Sequence, residues 1–101
     1  MYCSNANGDC FGDAETLRLG VNETFFGMEA ILKQFNVDIY LCAHEHAYER
    51  TYPVFNGTFQ VQPLNVYTNP QSPIHIIAGS AGNQELLDMF DPVLYGAWSG
   101  K

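Results

Sequence analysis

The feature that most constrains this chain is a buried strand with a helix directly before it. Residues 37–43 (Val-Asp-Ile-Tyr-Leu-Cys-Ala) are apolar on nearly both faces, as in a strand that other layers cover on both sides. From Asn22 to about Phe35, apolar residues recur every three or four positions, which predicts a helix with Asn22 as its N-cap. A helix followed at once by a buried strand indicates part of an α/β unit. We expect the apolar stripe of the helix to pack in the core; it consists of Phe25, Met28, Ile31, Leu32 and Phe35.

Several shorter elements flank this unit. Asp13 is expected to cap a short helix over residues 14–19 that ends at Gly20, after a loop over residues 1–12. The Asn56-Gly57 pair lies between β-forming residues, which predicts a hairpin with strands at 51–55 and 58–61. The remaining predictions are a loop over residues 62–73, a strand at Ile74–Ala78, a small-residue turn at 79–83 and a helical turn at 84–90.

Composition excludes several classes of protein. Hydrophobic residues make up 47% and charged residues 15% of the 101 residues, which is too apolar for a disordered chain. Four basic against eleven acidic residues give a net charge of −7, whereas nucleic acids and anionic membranes require a basic surface. The sequence contains no apolar run of the ~20 residues that span a membrane. We therefore expect one folded domain, or part of one, that binds no nucleic acid.

The cysteines and two glycosylation sequons concern the cellular compartment. Cys3 and Cys10 flank a loop rich in Gly, Asn and Asp that a disulfide would close easily, whereas Cys42 in the apolar strand is predicted to be a buried free thiol. Sequons at Asn22 and Asn56, together with a disulfide, favour an oxidising, secretory environment. The sequence nevertheless shows no signal peptide. We therefore expect the true N-terminus to lie upstream.

The residues that carry chemistry are His44-Glu45-His46, immediately after the buried strand. In α/β sheets, ligand sites lie beyond the carboxyl ends of strands, and residues two apart in extended backbone face the same side. Imidazole is a ligand for zinc, iron and related metals. Two ligands are too few, since a catalytic zinc usually has three protein ligands and a structural one four. The alternative is two partly exposed histidines at a strand end with no metal; if they do bind metal, most of the site lies outside this sequence.

Residues 43–51 (Ala-His-Glu-His-Ala-Tyr-Glu-Arg-Thr) resemble the Gly-His-x-His-Ala-Tyr-Glu-Arg block of the purple acid phosphatases, in the calcineurin-like metallophosphoesterase superfamily. Residues 1–5 resemble the segment that follows the family's His-x-Pro motif, especially in animal members. Residues 73–83 resemble its Pro-x-His-Ile-x-x-Gly-x-x-Gly-Asn stretch. The resemblance covers nearly the whole chain. It departs from the family pattern at Ala43, where most members have Gly.

This resemblance implies a fold and a position within it. The fold class is α/β (α+β): the C-terminal portion of a four-layer α/β/β/α metallophosphoesterase sandwich with mixed sheets. The family's Asp, Asp-x-x-Tyr and Asn-His-Glu motifs are absent from the sequence. Residues 1–101 are therefore expected to be a partial catalytic domain, truncated at the N-terminus and also at the C-terminus.

The resemblance also implies an activity. The family has a dinuclear centre of Fe(III) with a divalent Fe, Zn or Mn; His44 would bind the divalent ion and His46 the ferric ion. The parent protein would hydrolyse small phosphomonoesters at acid pH and be secreted or lysosomal. The remaining catalytic-domain residues upstream would be its partner, and no other catalytic residue is expected in this chain. Arg50 is interpreted as a structural residue, with phosphate contact as the alternative, and His75 as a core histidine with satisfied hydrogen bonds.

Two other functions stay open. Because most ligands are missing, the chain alone is expected to be inactive, and it could be a catalytically inactive secreted fragment or degenerate paralogue with at most weak metal binding. A different metallophosphoesterase, such as a phosphodiesterase or nucleotidase, would share His-x-His but generally lacks the Ala-Tyr-Glu-Arg continuation.

Overall fold

A computed structural model describes residues 1–4, 8–22, 25–61, 67–90 and 97–100. In this part of the chain the elements form a mixed α/β domain, as expected from the sequence, whereas the four-layer sandwich stays a prediction. No helix among these residues is long and apolar enough to cross a membrane. The helices and strands are α1 (Gly8–Leu19), β1 (Gly20–Val21), β2 (Phe25–Phe26), α2 (Met28–Gln34), β3 (Ile39–Cys42), β4 (Tyr48–Arg50), β5 (Val54–Phe55), β6 (Thr58–Phe59) and β7 (Ile74–Ala78).

The largest sheet has the strand order β3-β7-β4. β7 pairs in parallel with β3, from Ile39 opposite Ile74 to Cys42 opposite Ile77, and antiparallel with β4. Both long strands predicted from the sequence are therefore confirmed. Because parallel strands end at the same edge, residues 44–47 after β3 and residues 79–83 after β7 are brought side by side.

One face of this sheet is buried. Side chains alternate between the two faces of a strand, and the inner face carries His75, which is 1% exposed, and Glu49, which is 2% exposed. The Tyr2 ring packs edge-on against His75 at 5.1 Å. The apolar core under this face contains Met1, Tyr2, Leu32 and Val54, with Met28, Val37, Tyr40, Phe59 and Trp98 packed against it.

The opposite face of the sheet is open along its two outer strands, β3 and β4, whereas Ile74 of the central strand is buried there. Ile39 and Leu41 of β3 are 52% and 69% exposed, and Tyr48 of β4 is 52% exposed. The prediction that other layers cover β3 on both sides is therefore not met within these residues. The strand has the apolar composition of one buried on both faces. Its outer side chains are nevertheless exposed to solvent, since no described element covers them.

The first helix is longer than predicted. α1 begins at Gly8, so Asp13 lies inside the helix and does not cap it, and residues 8–12 are helical instead of loop. The disulfide between Cys3 and Cys10, with Cα atoms 6.1 Å apart, ties the first turn of α1 to the buried N-terminal segment. The helix ends as expected, at Gly20, whose φ of 89° lies in the left-handed region.

The predicted helix from Asn22 to Phe35 is wrong in its first half. β1 and β2 form a short antiparallel pair there, and Asn22 lies in the intervening turn with φ 54°. α2 begins only at Met28, with Gly27 as its N-cap. A Cβ on Gly27 would lie 2.6 Å from the carbonyl oxygen of Leu19, so glycine lets the two helices approach closely here.

The apolar stripe assigned to this helix is only partly core. Leu32 is buried and Met28 packs against the core, but Ile31 is 48% and Phe35 71% exposed. The side chain of Glu29 on the same helix is buried instead. Its carboxylate accepts hydrogen bonds from the Tyr2 hydroxyl, from Arg18 Nη1 at 3.3 Å and from the backbone N–H of Asn56 at 2.9 Å. These polar partners, not the apolar period, orient the helix.

Of two further local predictions, the hairpin is present and the helical turn at 84–90 is not. The hairpin is confirmed with strands shorter than the predicted 51–55 and 58–61: β5 pairs with β6. Asn56 and Gly57 have φ of 47° and 70°, as a tight hairpin turn requires. Residues 84–90 form no helix. The Asn83 side chain instead bonds to the backbone of Glu85, a local alternative to helical hydrogen bonds.

Candidate metal centre

The histidine loop, residues 43–47, connects β3 to β4 and lies against the turn that follows β7. The backbone N–H of Gly79 donates to the Ala47 carbonyl at 3.2 Å. A Cβ on Gly79 would lie 2.1 Å from the Glu45 carbonyl oxygen and 3.2 Å from the His44 nitrogen. Only glycine permits this approach, so Gly79 fixes where the histidine loop lies.

The two histidines have different surroundings. Residues 44–47 are bends and not extended strand, and His44 has a φ of 82°, so the argument from extended backbone does not describe this loop. His44 is exposed and His46 half-buried. The structure therefore places both histidines on one short loop at the carboxyl edge of the sheet, in a conformation the sequence did not indicate.

His46 is contacted by a segment that the sequence analysis did not connect with it. Its backbone N–H donates to Asp88 Oδ2 at 2.6 Å, and its carbonyl accepts from the Asp88 N–H at 3.2 Å. Its Nδ1 lies 3.4 Å from Glu85 Oε2. No spacing in the sequence linked residues 85 and 88 to His46. The sequence did contain one sign that this segment is irregular and not a helix, the Asn83 side chain, which can bond to nearby backbone groups.

The donor set for a metal is incomplete in the part of the chain that the structure describes. No group of three or more His, Cys, Asp or Glu side chains is arranged there to hold a metal ion. Two imidazoles on one loop are suitable donors for a transition metal, yet even a catalytic zinc usually takes three protein ligands. The described residues therefore supply two imidazoles on one loop and do not complete a metal site.

Arg50 makes a structural contact. Its guanidinium lies over the Tyr67 ring at 5.5 Å, and its carbonyl accepts from the Gly100 N–H at 2.7 Å. Neighbouring Glu49 is buried and accepts a hydrogen bond from the Ser4 hydroxyl at 2.6 Å, and burial raises the pKa of its carboxyl. These two residues tie the strand after the histidine loop to its surroundings; phosphate contact by Arg50 stays an untested alternative.

His75 is a core histidine, as predicted, but its hydrogen bonds are not satisfied. Its ring lies between Tyr2 and Tyr40, with centroids 5.1 and 5.7 Å away. Neither ring nitrogen makes a hydrogen bond of normal geometry among the described residues. Burial lowers its pKa to about 4, so the ring is neutral near pH 7.

The predicted disulfide is present, and the other modifications stay predictions. Cys3 and Cys10 are bonded, and Cys42 is a free thiol, half-buried, whose pKa burial raises. The sequon asparagines Asn22 and Asn56 are both exposed in turns. Residues 23–24 of the first sequon lie outside the described residues.

Comparison with known proteins confirms the resemblance, with matches to animal acid phosphatases and to plant purple acid phosphatases. The chain is 45% identical to acid phosphatase type 7 of Mus musculus over 92 residues, covering 89% of this chain and 21% of that protein. It is 44% identical to acid phosphatase type 7 of Homo sapiens over 92 residues, with the same coverage. It is 37% identical to purple acid phosphatase 23 of Arabidopsis thaliana over 62 residues, covering 61% of this chain and 12% of that protein.

The chain thus spans about a fifth of the length of the animal acid phosphatases it matches. No family model matches the chain, and no solved structure matches it significantly.

Proposed function

We propose that this chain is the C-terminal part of the catalytic domain of a metal-dependent acid phosphatase that hydrolyses phosphate monoesters. The observation that carries the proposal is the identity of 45% over 92 residues to an acid phosphatase. The geometry supports it, because both histidines lie at the carboxyl edge of a parallel strand pair, where α/β sheets bind ligands.

His44 and His46 are the ligands this chain would supply to a dinuclear centre of Fe(III) and divalent Fe, Zn or Mn. Such a centre supplies Lewis acidity that activates water and neutralises phosphate charge, and a trivalent ion does so at acid pH. With a net charge of −7, the chain's own residues do not favour an anionic substrate. The remaining ligands would come from further parts of a longer polypeptide, called below the full-length protein.

The test compares His44→Ala and His46→Ala in the full-length protein. Each variant should lose bound metal and roughly 100-fold or more of kcat/KM towards 4-nitrophenyl phosphate, because a metal site that loses a ligand loses several kcal/mol of transition-state stabilisation. His75→Phe is the control, since that histidine is buried away from the loop; it should retain metal and activity. Full metal content and activity in both loop variants would refute the ligand assignment. Equal hydrolysis of a diester would favour a phosphodiesterase.

The second candidate is a catalytically inactive fragment or degenerate paralogue. The incomplete donor set among the described residues favours it. Pure 101-residue chain should then show no hydrolysis of 4-nitrophenyl phosphate in the presence of iron and zinc. Activity that a chelator abolishes would refute this candidate.

We further propose that the parent protein is secreted or lysosomal and glycosylated. The disulfide and the exposed turn positions of Asn22 and Asn56 support this. Endoglycosidase treatment of the protein from a secretory host should increase its mobility, and Asn56→Gln should remove part of that change. Unchanged mobility of the untreated and treated protein would contradict glycosylation.

A further inference from the structure

The segment after β7 holds the backbone of His46 from two sides. Asp88 Oδ2 accepts the His46 N–H at 2.6 Å, a charge-assisted hydrogen bond that is stronger than a neutral one. The Asp88 N–H in turn donates to the His46 carbonyl at 3.2 Å. Both backbone groups of His46 are therefore bound to one residue 42 positions later in the sequence.

The same segment places a carboxylate beside the His46 ring. Asn83 Oδ1 accepts the Glu85 N–H at 2.7 Å, and Asn83 Nδ2 donates to the Glu85 carbonyl at 3.0 Å, so the backbone of Glu85 is fixed. Glu85 Oε2 then lies 3.4 Å from His46 Nδ1, an ion-pair contact in which the Glu85 side chain is 80% exposed and the His46 side chain 30% exposed. If Nδ1 carries its proton towards this carboxylate, the free lone pair of the neutral imidazole lies on Nε2.

We propose that Glu85 and Asp88 are positioning residues for His46: Asp88 fixes its backbone, and Glu85 selects the Nδ1–H tautomer and leaves Nε2 available to a metal. This rests on the proposed function of His46 as a ligand. Histidine ligands commonly donate their second ring N–H to a carboxylate, and mutation of that partner costs about 10- to 100-fold in metal affinity. The turn over residues 79–83 then serves to direct the segment with Glu85 and Asp88 onto the histidine loop.

The first test reads the His46 tautomer in the metal-free full-length protein, by long-range ¹H–¹⁵N correlation spectra of labelled histidine. The wild type should show the Nδ1–H form. Glu85→Ala should shift it towards Nε2–H, the form that free imidazole favours in water, whereas Glu85→Gln retains an acceptor oxygen and should largely preserve Nδ1–H. His44 serves as the internal control and should not change. An Nε2–H form in the wild type, or an unchanged tautomer in Glu85→Ala, would overturn the role of Glu85.

The second test concerns Asp88. Asp88→Ala should accelerate hydrogen exchange of the His46 amide by about 10-fold or more, because a charge-assisted hydrogen bond is lost, and Asp88→Asn should do so less. Zn²⁺ affinity, measured by calorimetry, should fall about 10- to 100-fold in Glu85→Ala and Asp88→Ala. Glu15→Ala, an exposed carboxylate on α1, should change neither quantity.

These outcomes separate the two proposals. Unchanged amide exchange and unchanged Zn²⁺ affinity in Asp88→Ala would overturn the role of Asp88 even in an active phosphatase. A wild type that binds no metal and hydrolyses no phosphomonoester would overturn the proposed function, while the tautomer and exchange measurements would still decide whether the two carboxylates position His46.

Discussion

At the scale of single residues, Gly79 is a position where any side chain would overlap the backbone of a neighbouring loop. We expect Gly79→Ala to lower the free energy of unfolding by about 1–3 kcal/mol, because its Cβ would overlap the backbone of Glu45. Urea denaturation of the full-length protein measures this. Gly12→Ala is the matched control: it lies within α1 with open space around it, so alanine should be neutral or stabilise by about 0.5–1 kcal/mol. Equal effects of the two substitutions would contradict the overlap.

The buried ring of His75 predicts a pH-dependent stability. Its pKa is lowered to about 4 by burial, against about 6.5 in an unfolded chain. The unfolded state therefore takes up a proton first as the pH falls from 6.5, and stability is lost progressively down to pH 4, by about 3 kcal/mol in all. His75→Phe should remove this part of the pH dependence. Denaturation at several pH values tests it: parallel curves for wild type and variant would refute it.

At the scale of elements, a buried polar network joins both helices to the hairpin. Glu29 on α2 accepts hydrogen bonds from Tyr2, from Arg18 on α1 and from the turn between β5 and β6. The Tyr2 hydroxyl also accepts a hydrogen bond from the Gly57 N–H at 3.0 Å. Burial, and to a smaller extent the hydrogen bond to Glu29, raises the pKa of Tyr2 to about 12. The network fixes how α1, α2 and the hairpin meet.

Loss of this network should be costly. Glu29→Ala leaves buried donors without acceptors, and we expect a loss of about 3 kcal/mol or more in the free energy of unfolding. Glu15→Ala removes an exposed carboxylate from α1 and should change it by less than about 0.5 kcal/mol. Chemical denaturation of both variants makes the comparison. A similar small change in each would show that the network contributes little.

At the scale of the whole molecule, the open face of the main sheet predicts poor behaviour of the isolated chain. Ile39, Leu41 and Tyr48 expose apolar surface there, and such patches drive association. The 101-residue chain should melt without a sharp cooperative transition and associate in solution. Leu41→Lys should reduce association in analytical ultracentrifugation, whereas Ile77→Lys, on the buried face, should unfold the chain. A sharp melt of a monomeric wild-type chain would contradict this prediction.

The sequence by itself determined the local features. Asn56-Gly57 specified its hairpin because few residue pairs adopt two successive positive φ angles. The apolar segments at 39–42 and 74–78 specified strands, and Gly20 specified the end of α1. The motif around His44 and His46 indicated the phosphatase relationship, because residue identity survives in sequence without knowledge of the fold.

Tertiary structure alone decided the orientation of α2 and the surroundings of the histidines. The side chain of Glu29 is buried because it accepts hydrogen bonds from residues far away in the sequence. The spacing of apolar residues along the helix does not indicate these donors. In the same way, Asp88 and Glu85 reach His46 only because β3 and β7 pair in parallel and end at one edge. Long-range pairing decides such contacts, and spacing along the chain does not reveal it.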